Sequence, residues 1–123
     1  MKRVFITLLI VLSALAYNES FAQNIIRLRN GRAEIITENG TYAGYYGYAN
    51  VIAASFNYNQ TLMLLTYANG KVELRKSPNT IVRTYNVSNA IDAKWHKKDE
   101  VLIYRADGKI ERRNINGTII RTL

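Results

Sequence analysis

His96 is the residue of this 123-residue chain best suited to acid–base chemistry, because it is the only histidine. It lies in the run Trp95-His96-Lys97-Lys98-Asp99-Glu100, where the carboxylate of Asp99 could orient the imidazole ring as a general base. Base catalysis of this kind also needs a nucleophile, and the neighbouring residues supply none. We therefore expect His96 to be a solvated turn residue rather than a catalytic one.

Three glutamates, Glu34, Glu73 and Glu111, share one position of a repeated pattern. Paired carboxylates hydrolyse glycosidic bonds when they flank one cleft. Equivalent positions of a repeat do not converge in this way, so we expect cross-strand pairs with basic residues, such as Arg27 opposite Glu34. The chain has no cysteine, which excludes thiolate catalysis, disulfides and cysteine–zinc sites. The sequence predicts no enzyme, no metal site and no cofactor.

Tyrosines are concentrated in the segment Tyr42-Ala43-Gly44-Tyr45-Tyr46-Gly47-Tyr48. Tyrosines separated by small residues can present rigid, amphipathic rings to a sugar or to a protein surface. Tyr42, Tyr45, Tyr46 and Tyr48 are therefore candidate ligand-binding residues. The alternative is a strand and connector whose rings cover the open end of the first repeat.

The chain is basic, with 17 Lys and Arg residues against 9 Asp and Glu residues and a formal net charge of +8. A positive field raises the encounter rate with anionic partners such as an acidic polysaccharide, an envelope component or an acidic protein. No nucleic-acid-binding module is recognisable, so a nucleic-acid partner is not expected. Arg105, Arg112 and Arg113 are the candidate ligand-binding cations, and the alternative is a solvated surface of mixed charge. They belong to a basic set in the second and third repeats: Arg75, Lys76, Arg83, Lys94, Lys97, Lys98, Arg105, Lys109, Arg112, Arg113 and Arg121.

The elements that must position these residues come from a repeat of 38 to 39 residues. Segments 27–41, 66–80 and 104–118 align without a gap. Each contains Asn-Gly or Asp-Gly, then a basic residue, then glutamate two positions later. Such a dipeptide between alternating apolar and polar residues is the strongest local signal for a β-hairpin. A second turn follows at Asn39-Gly40-Thr41, Pro78-Asn79-Thr80 and Asn116-Gly117-Thr118, so each full unit is expected to have four short strands.

A two-residue turn at Asn69-Gly70 would pair Tyr67 with Val72 and Leu65 with Leu74. One face of the second repeat would then carry Met63, Leu65, Tyr67, Val72 and Leu74. The same construction gives the first repeat an apolar face of Ile26, Leu28, Ala33 and Ile35. In the third repeat it places Arg105 and Arg112 on the face that is apolar in the first two repeats. This predicts that the third unit is either the most exposed or the one most tightly bound to a partner.

The first 22 residues resemble a secretory signal peptide. Lys2 and Arg3 precede an apolar run of 13 residues, which is shorter than the roughly 20 residues of a membrane-spanning helix. Small residues allow cleavage after Ala16 or after Ala22, and we favour the second because it leaves no polar stub before the first strand. The expected product is secreted or periplasmic, is not membrane-spanning after cleavage, and has no cysteine for a lipid anchor.

A four-stranded repeat of this length with a glycine turn between its second and third strands resembles a β-propeller blade, most closely the tryptophan-aspartate repeat type. Phe56 and Trp95 take the position of the aromatic residue that ends the first strand of such a blade. The signature Trp-Asp pair is replaced by Ile36-Thr37, Arg75-Lys76 and Arg113-Asn114, and the signature Gly-His is also absent. The resemblance implies an all-β, antiparallel domain over residues 23–123, with repeat units of about 24–45, 46–85 and 86–123.

These units amount to 11 strands, or about 2.75 blades, whereas propellers close with roughly four to eight blades. Two chains could complete a six-bladed ring, the strands could form an open sandwich or barrel, or bare sheet edges could recruit a partner. We expect an exported, non-catalytic binding or protein-interaction module, with anionic or glycan ligands as candidates. The alternative is a structural subunit that self-assembles or completes a partner's sheet in the cell envelope.

Overall fold

A computed structural model describes residues 23–123 of the chain. The predicted signal peptide, including both cleavage sites, lies outside the described residues. Within the described range, no helix is long and apolar enough to cross a membrane. The strands are β1 (Ile25–Arg29), β2 (Arg32–Ile36), β3 (Tyr42–Tyr46), β4 (Val51–Phe56), β5 (Met63–Tyr67), β6 (Val72–Ser77), β7 (Thr80–Tyr85), β8 (Ala90–Lys97), β9 (Glu100–Arg105), β10 (Ile110–Asn114) and β11 (Ile119–Thr122).

The strands form three antiparallel sheets in which each strand pairs with its neighbours in sequence. The first sheet has the order β1-β2-β3, the second β4-β5-β6-β7 and the third β8-β9-β10-β11. Two connectors, residues 47–50 and 86–89, join one sheet to the next. The predicted all-β architecture of four-stranded repeats, with one strand fewer in the first unit, is therefore confirmed.

The sheets stack face to face with one apolar core at each junction. At the first junction, Ala33 and Ile35 of the first sheet pack with Met63, Leu65 and Tyr67 of the second. At the second junction, residues of the second sheet, such as Leu64, Leu74 and Tyr85, pack with residues of the third, such as Val101 and Ile103. The second sheet is thus buried on both of its faces, which explains why every residue of β5 is buried.

The predicted register is correct in the first repeat and wrong in the other two. Asn30 and Gly31 both have positive φ, at 55° and 73°, and Arg27 pairs with Glu34 as expected from a two-residue turn. In the second repeat only the glycine has positive φ, at 86°, and the amide of Tyr67 bonds to the carbonyl of Lys71. This loop of three residues shifts the pairing by one, so that Leu65 faces Glu73.

A shift of one residue in the register changes which side chains of the two paired strands lie on the same face of the sheet. Met63, Leu65 and Tyr67 therefore share a face with Glu73, while Leu64 shares the opposite face with Leu74. The single apolar face predicted for the second repeat does not exist, because its apolar residues are divided between two junctions.

The same correction applies to the third repeat, whose arginines were expected on one face. There a three-residue loop places Arg112 opposite Leu102 and Glu111 opposite Ile103. Arg105 lies two residues along the strand from Ile103, so Arg105 and Arg112 point to opposite faces of the third sheet.

The glycine turns also hold the sheets together. The carbonyl of Gly31 accepts a hydrogen bond from the amide of Val51, which begins the second sheet, at 2.9 Å. The carbonyl of Gly70 accepts one from the amide of Ala90, which begins the third sheet, at 3.0 Å. Gly31 and Gly70 therefore contact the connector that follows their sheet, where a Cβ atom would collide with backbone atoms.

Candidate functional site

The three repeated glutamates lie on three different sheets and serve as structural ion-pair partners. Glu34 accepts a hydrogen bond of 2.8 Å from Arg27 across its hairpin, which confirms the predicted pair. Glu73 and Glu111 are buried at 6% exposure, and each pairs with the arginine two residues later on the same strand, Arg75 or Arg113. The sequence shows this Glu-x-Arg spacing in both repeats, but it does not show that the pair is buried.

Glu73 lies at the centre of a hydrogen-bonded cluster at the first junction. One carboxylate oxygen accepts bonds from the Tyr67 hydroxyl at 2.7 Å and from Arg75 Nε at 2.8 Å. Burial of the ring, followed by the hydrogen bond and negative charge of Glu73, raises the pKa of Tyr67 well above its usual range. The cluster therefore holds a neutral tyrosine and an ion pair as one interior unit.

The candidate arginines do not form one surface. Arg113 is only 3% exposed, and it bonds to Glu111 and to the carbonyl of Asn86, so it lies in the interior rather than on the expected basic face. Arg113 is buried because it lies on the face of the third sheet that packs against the second sheet. Arg105 bonds to Glu111 and Asp107 on one side of the third sheet.

Arg112 lies on the opposite, outward side of that sheet. Its Nε donates to Glu100 at 2.8 Å, and this hydrogen bond lowers the pKa of the Glu100 carboxyl. Because Arg112 is already paired in this way, it offers less free charge to a ligand than its sequence position suggests.

Three of the four candidate tyrosines converge on a hollow of about 420 Å³, called here the tyrosine hollow. Its wall contains Tyr42, Tyr45, Tyr48, Arg75, Pro78 and Asn79. Tyr46 faces the other way and packs edge-on against Phe56, with ring centroids 6.1 Å apart. Burial raises the pKa of Tyr46, as expected for a ring in the core.

Two cations lie over the rings of the tyrosine hollow. Arg32 Cζ is 4.3 Å from the centroid of the Tyr45 ring, and Arg75 Cζ is 4.7 Å from that of Tyr48. Both distances are in the range of attractive cation–π contacts. In the sequence Arg75 stood out as one of many basic residues and as part of the Arg75-Lys76 pair that replaces Trp-Asp, and neither feature predicted its position in this wall.

A second hollow of about 630 Å³ lies where the strand-connecting loops of the second and third sheets meet, and it is called here the loop-end hollow. No sequence pattern predicted this hollow. Leu62, Trp95 and Ile115 supply its apolar lining, and His96, Lys97 and Lys98 lie along one side. His96 is exposed near the end of β8, which agrees with the expected solvated residue, although it belongs to the strand rather than to the turn.

The loop beneath this hollow is fixed by its own side chains. Asn57 Oδ1 accepts from the amides of Thr61 and Leu62, both at 2.9 Å, and Asn57 Nδ2 donates to Thr61 Oγ1 at 3.1 Å. Trp95 Nε1 donates to the carbonyl of Ser55 at 3.0 Å, so the indole ring has one fixed orientation. The hollow is therefore largely formed before any ligand arrives.

No protein-family model matches the sequence, and a search of curated proteins also gives no match. Among solved structures, the chain is similar to the crystal structure of the C-terminal WD40 domain of Sif2, with a TM-score of 0.62 and 16% sequence identity. The similarity covers 76% of this chain but 28% of that domain. The three sheets are therefore WD40-like propeller blades, and the chain spans about a quarter of the length of the domain that it resembles.

Proposed function

We propose that this chain is an exported, non-catalytic interaction module that binds an acidic segment of a protein partner in the loop-end hollow. The observation that carries the proposal is the combination, in one preformed hollow, of an apolar lining and two unpaired lysines. The WD40-like fold supports a binding role rather than a catalytic one. Its repeated charged residues, such as Glu73 and Arg75, form ion pairs at the blade junctions and do not converge on one cleft.

The lysines define the charge of the partner. Lys97 and Lys98 are exposed, and neither forms an ion pair with a carboxylate of residues 23–123. Unpaired cations at the rim of a hollow favour an anionic ligand and speed its approach. Asp99, the acidic residue of the same wall, offsets one of the two positive charges.

The lining defines the rest of the ligand. Leu62, Trp95 and Ile115 form a partly buried apolar floor against the second core. Binding free energy at protein interfaces is concentrated where an anchor side chain fills such a pocket. The best partner is therefore a segment in which acidic residues flank one aromatic or aliphatic side chain.

Peptide binding tests this proposal. A peptide with glutamates around one phenylalanine should bind more tightly than its lysine counterpart, and its affinity should fall as salt is added. The double substitution K97E/K98E should weaken binding about tenfold or more, because it replaces two cations of the hollow with two anions. The control K71E/K109E changes lysines of the glycine turns and should leave the affinity within about twofold, since those residues lie outside the hollow. Equal affinity of K97E/K98E and the unmodified chain would refute the proposal.

Export is tested separately by the mass of the protein recovered from the secreting cell. Cleavage after Ala22 predicts a chain that begins at Gln23, and cleavage after Ala16 predicts one that begins at Tyr17. Recovery of the full-length chain in the cytoplasm would contradict export.

A structural role is the second candidate, and the outer strand of the third blade favours it. Every residue of β11 is exposed, and Ile119, Ile120 and Leu123 are 47%, 44% and 62% exposed. An apolar edge strand of this kind can pair with another chain. Light scattering after gel filtration separates the two candidate functions. A monomer at micromolar concentration would contradict self-assembly and would agree with the interaction module, whereas a defined oligomer would support self-assembly.

A further inference from the structure

The two junctions of the stack contain equivalent arginines with different hydrogen bonding. Arg75 and Arg113 both follow a buried glutamate by two residues and both point towards the preceding blade. Arg113 bonds through Nε and Nη2 to Glu111, through Nη1 to the Gly117 carbonyl and through Nη2 to the Asn86 carbonyl. All three of its nitrogens therefore have acceptors.

Arg75 lacks counterparts of both acceptors that Arg113 Nη2 has. Its Nε donates to Glu73 at 2.8 Å and its Nη1 to the Pro78 carbonyl at 2.6 Å. Its Nη2 is buried and has no acceptor among residues 23–123. Arg75 as a whole is 4% exposed, and buried donors of charged groups are almost always satisfied in native proteins. The first junction thus holds a guanidinium with an unused donor in the wall of the tyrosine hollow.

Differences in the last strand and in the connector of each blade explain why the first junction is more open. Counted back from the start of the next blade, Gly44 stands at the position of Arg83, and Gly47 at that of Asn86. At the second junction the Arg83 side chain lies beside Gly117, and the equivalent hollow is about 290 Å³. At the first junction no side chain occupies this place, and the hollow is about 420 Å³.

The ring of Tyr48 covers the unused donor without satisfying it as a carbonyl would. Its centroid is 4.7 Å from Arg75 Cζ and 6.1 Å from that of the stacked Tyr67 ring, and the residue is 63% exposed. Turning the ring outwards into solvent exchanges these two contacts for access to Nη2. A ligand oxygen could then reach Nη2, while Tyr42 and Tyr45 provide flat faces beside it.

We infer that the tyrosine hollow binds a carboxylate carried on a sugar ring, as in the uronic acid units of acidic polysaccharides. A carboxylate suits this single unused donor, because a hydrogen bond from a guanidinium N–H to a carboxylate oxygen is charge-assisted and stronger than one to a neutral oxygen. The tyrosine rings accept the face of the sugar, and their hydroxyl groups can bond to its hydroxyls. This site differs in place and chemistry from the loop-end hollow, so its test does not depend on the proposed protein partner.

The test uses a trimer of galacturonic acid, with binding followed by calorimetry and by amide chemical shifts. We expect shifts at residues 42–48, and R75K should weaken binding about tenfold because lysine keeps the charge but loses the Nη2 donor. The matched control R113K changes the equivalent, saturated arginine and should alter the affinity less than twofold. The methyl ester of the trimer, which lacks the carboxylate charge, should bind about as weakly as R75K does to the free acid.

A second variant covers the case in which R75K does not fold. Y42S/Y45S removes two exposed rings and should retain the melting temperature while losing about tenfold in affinity. Unchanged binding by R75K or by Y42S/Y45S, or equal binding of the acid and its ester, would overturn the inference. So would tighter binding of the acidic peptide to this hollow, seen as peptide-induced shifts at residues 42–48 that R75K abolishes.

Discussion

Tyr85 shows how the interior treats a single ionisable hydroxyl. Its ring packs in the core between the second and third blades at 2% exposure, and its hydroxyl donates to the Ile115 carbonyl at 3.0 Å. Burial raises the pKa of Tyr85 to about 12. The folded protein therefore retains this proton at a pH at which the unfolded chain loses it.

The expected consequence is a loss of stability at alkaline pH. The contribution of Tyr85 is complete below the unfolded pKa of about 10 and disappears as the pH rises from about 10 to about 12. Y85F should lower the free energy of unfolding at pH 8 by about 1 kcal/mol, through the lost hydrogen bond, and should unfold less steeply with rising pH. Thermal melts between pH 8 and pH 12 measure both effects. Parallel curves for Y85F and the unmodified chain would contradict the assignment.

For single residues, the sequence predicted the partner in one hairpin but did not predict which charged side chains are buried. The Arg27–Glu34 pair followed from a two-residue turn, which is a local property. Arg113 was expected at the surface, because a charged residue in a hairpin gives no sign that a second sheet will cover it. The unsatisfied Nη2 of Arg75 lies in a wall shared with residues of the first blade and its connector, so no local pattern could have revealed it.

Among the elements, the turns at Gly31 and Gly70 combine two functions, reversing the chain and contacting the next connector. Gly70 and Gly108 close equivalent turns with φ of 86° and 87°. A Cβ atom at Gly70 would lie 2.0 Å from the Ser88 carbonyl oxygen, whereas at Gly108 it would meet nothing within 4 Å. The pair therefore separates the cost of the backbone angle from the cost of contact between blades.

We predict that G70A destabilises the protein more than G108A. Both lose about 1 kcal/mol because alanine disfavours positive φ. G70A must also displace the connector and weaken the hydrogen bond from the Ala90 amide to the Gly70 carbonyl, which adds about 1 kcal/mol or more. Urea unfolding of the two variants measures the difference, and equal midpoints would show that the contact is unimportant.

The elements were predictable in number and type because Asn-Gly and Asp-Gly signals are strong. Their register was not, because the same dipeptide closes a two-residue turn at Asn30-Gly31 and ends a three-residue loop at Asn69-Gly70. The choice is decided by packing, since the longer loop places Leu74 opposite Leu64 on the side of the second core and Glu73 opposite Leu65 on the side of the first.

At the scale of the whole molecule, residues 23–123 form three blades stacked in chain order, and each of the two cores joins two blades that are consecutive in sequence. In such an arrangement stability is approximately the sum of unit and interface contributions. Leu64 and Leu65 are adjacent in β5, are 1% and 0% exposed, and belong to different cores. They allow each interface to be weakened separately.

Each of L64A and L65A should cost about 2–5 kcal/mol, as is usual for a buried leucine. L65A should accelerate amide hydrogen exchange mainly in β1–β3, and L64A mainly in β8–β11, because each variant loosens one terminal blade. Exchange measured by NMR resolves the strands. A uniform increase across all three sheets in both variants would show that the molecule unfolds as one unit.

Blade number was predictable from the repeat length, and the stacking order follows from short connectors of four residues. The polar outer face of the first blade was predictable from its two-residue turn, but that of the third blade was not, because a three-residue loop shifts its register. The paired charges Arg27–Glu34 and Arg112–Glu100 lie on these outward faces and make them polar. Polar outer faces are typical of the terminal units of repeat proteins.

Trp95 is the only tryptophan of the chain, and its indole bridges the second and third blades through the bond to Ser55. Its fluorescence therefore reports on the second junction and not on the first. Opening of the first blade would leave the emission spectrum unchanged while the circular dichroism of the strands declines, so a mismatch between these two probes would reveal stepwise melting without any added dye.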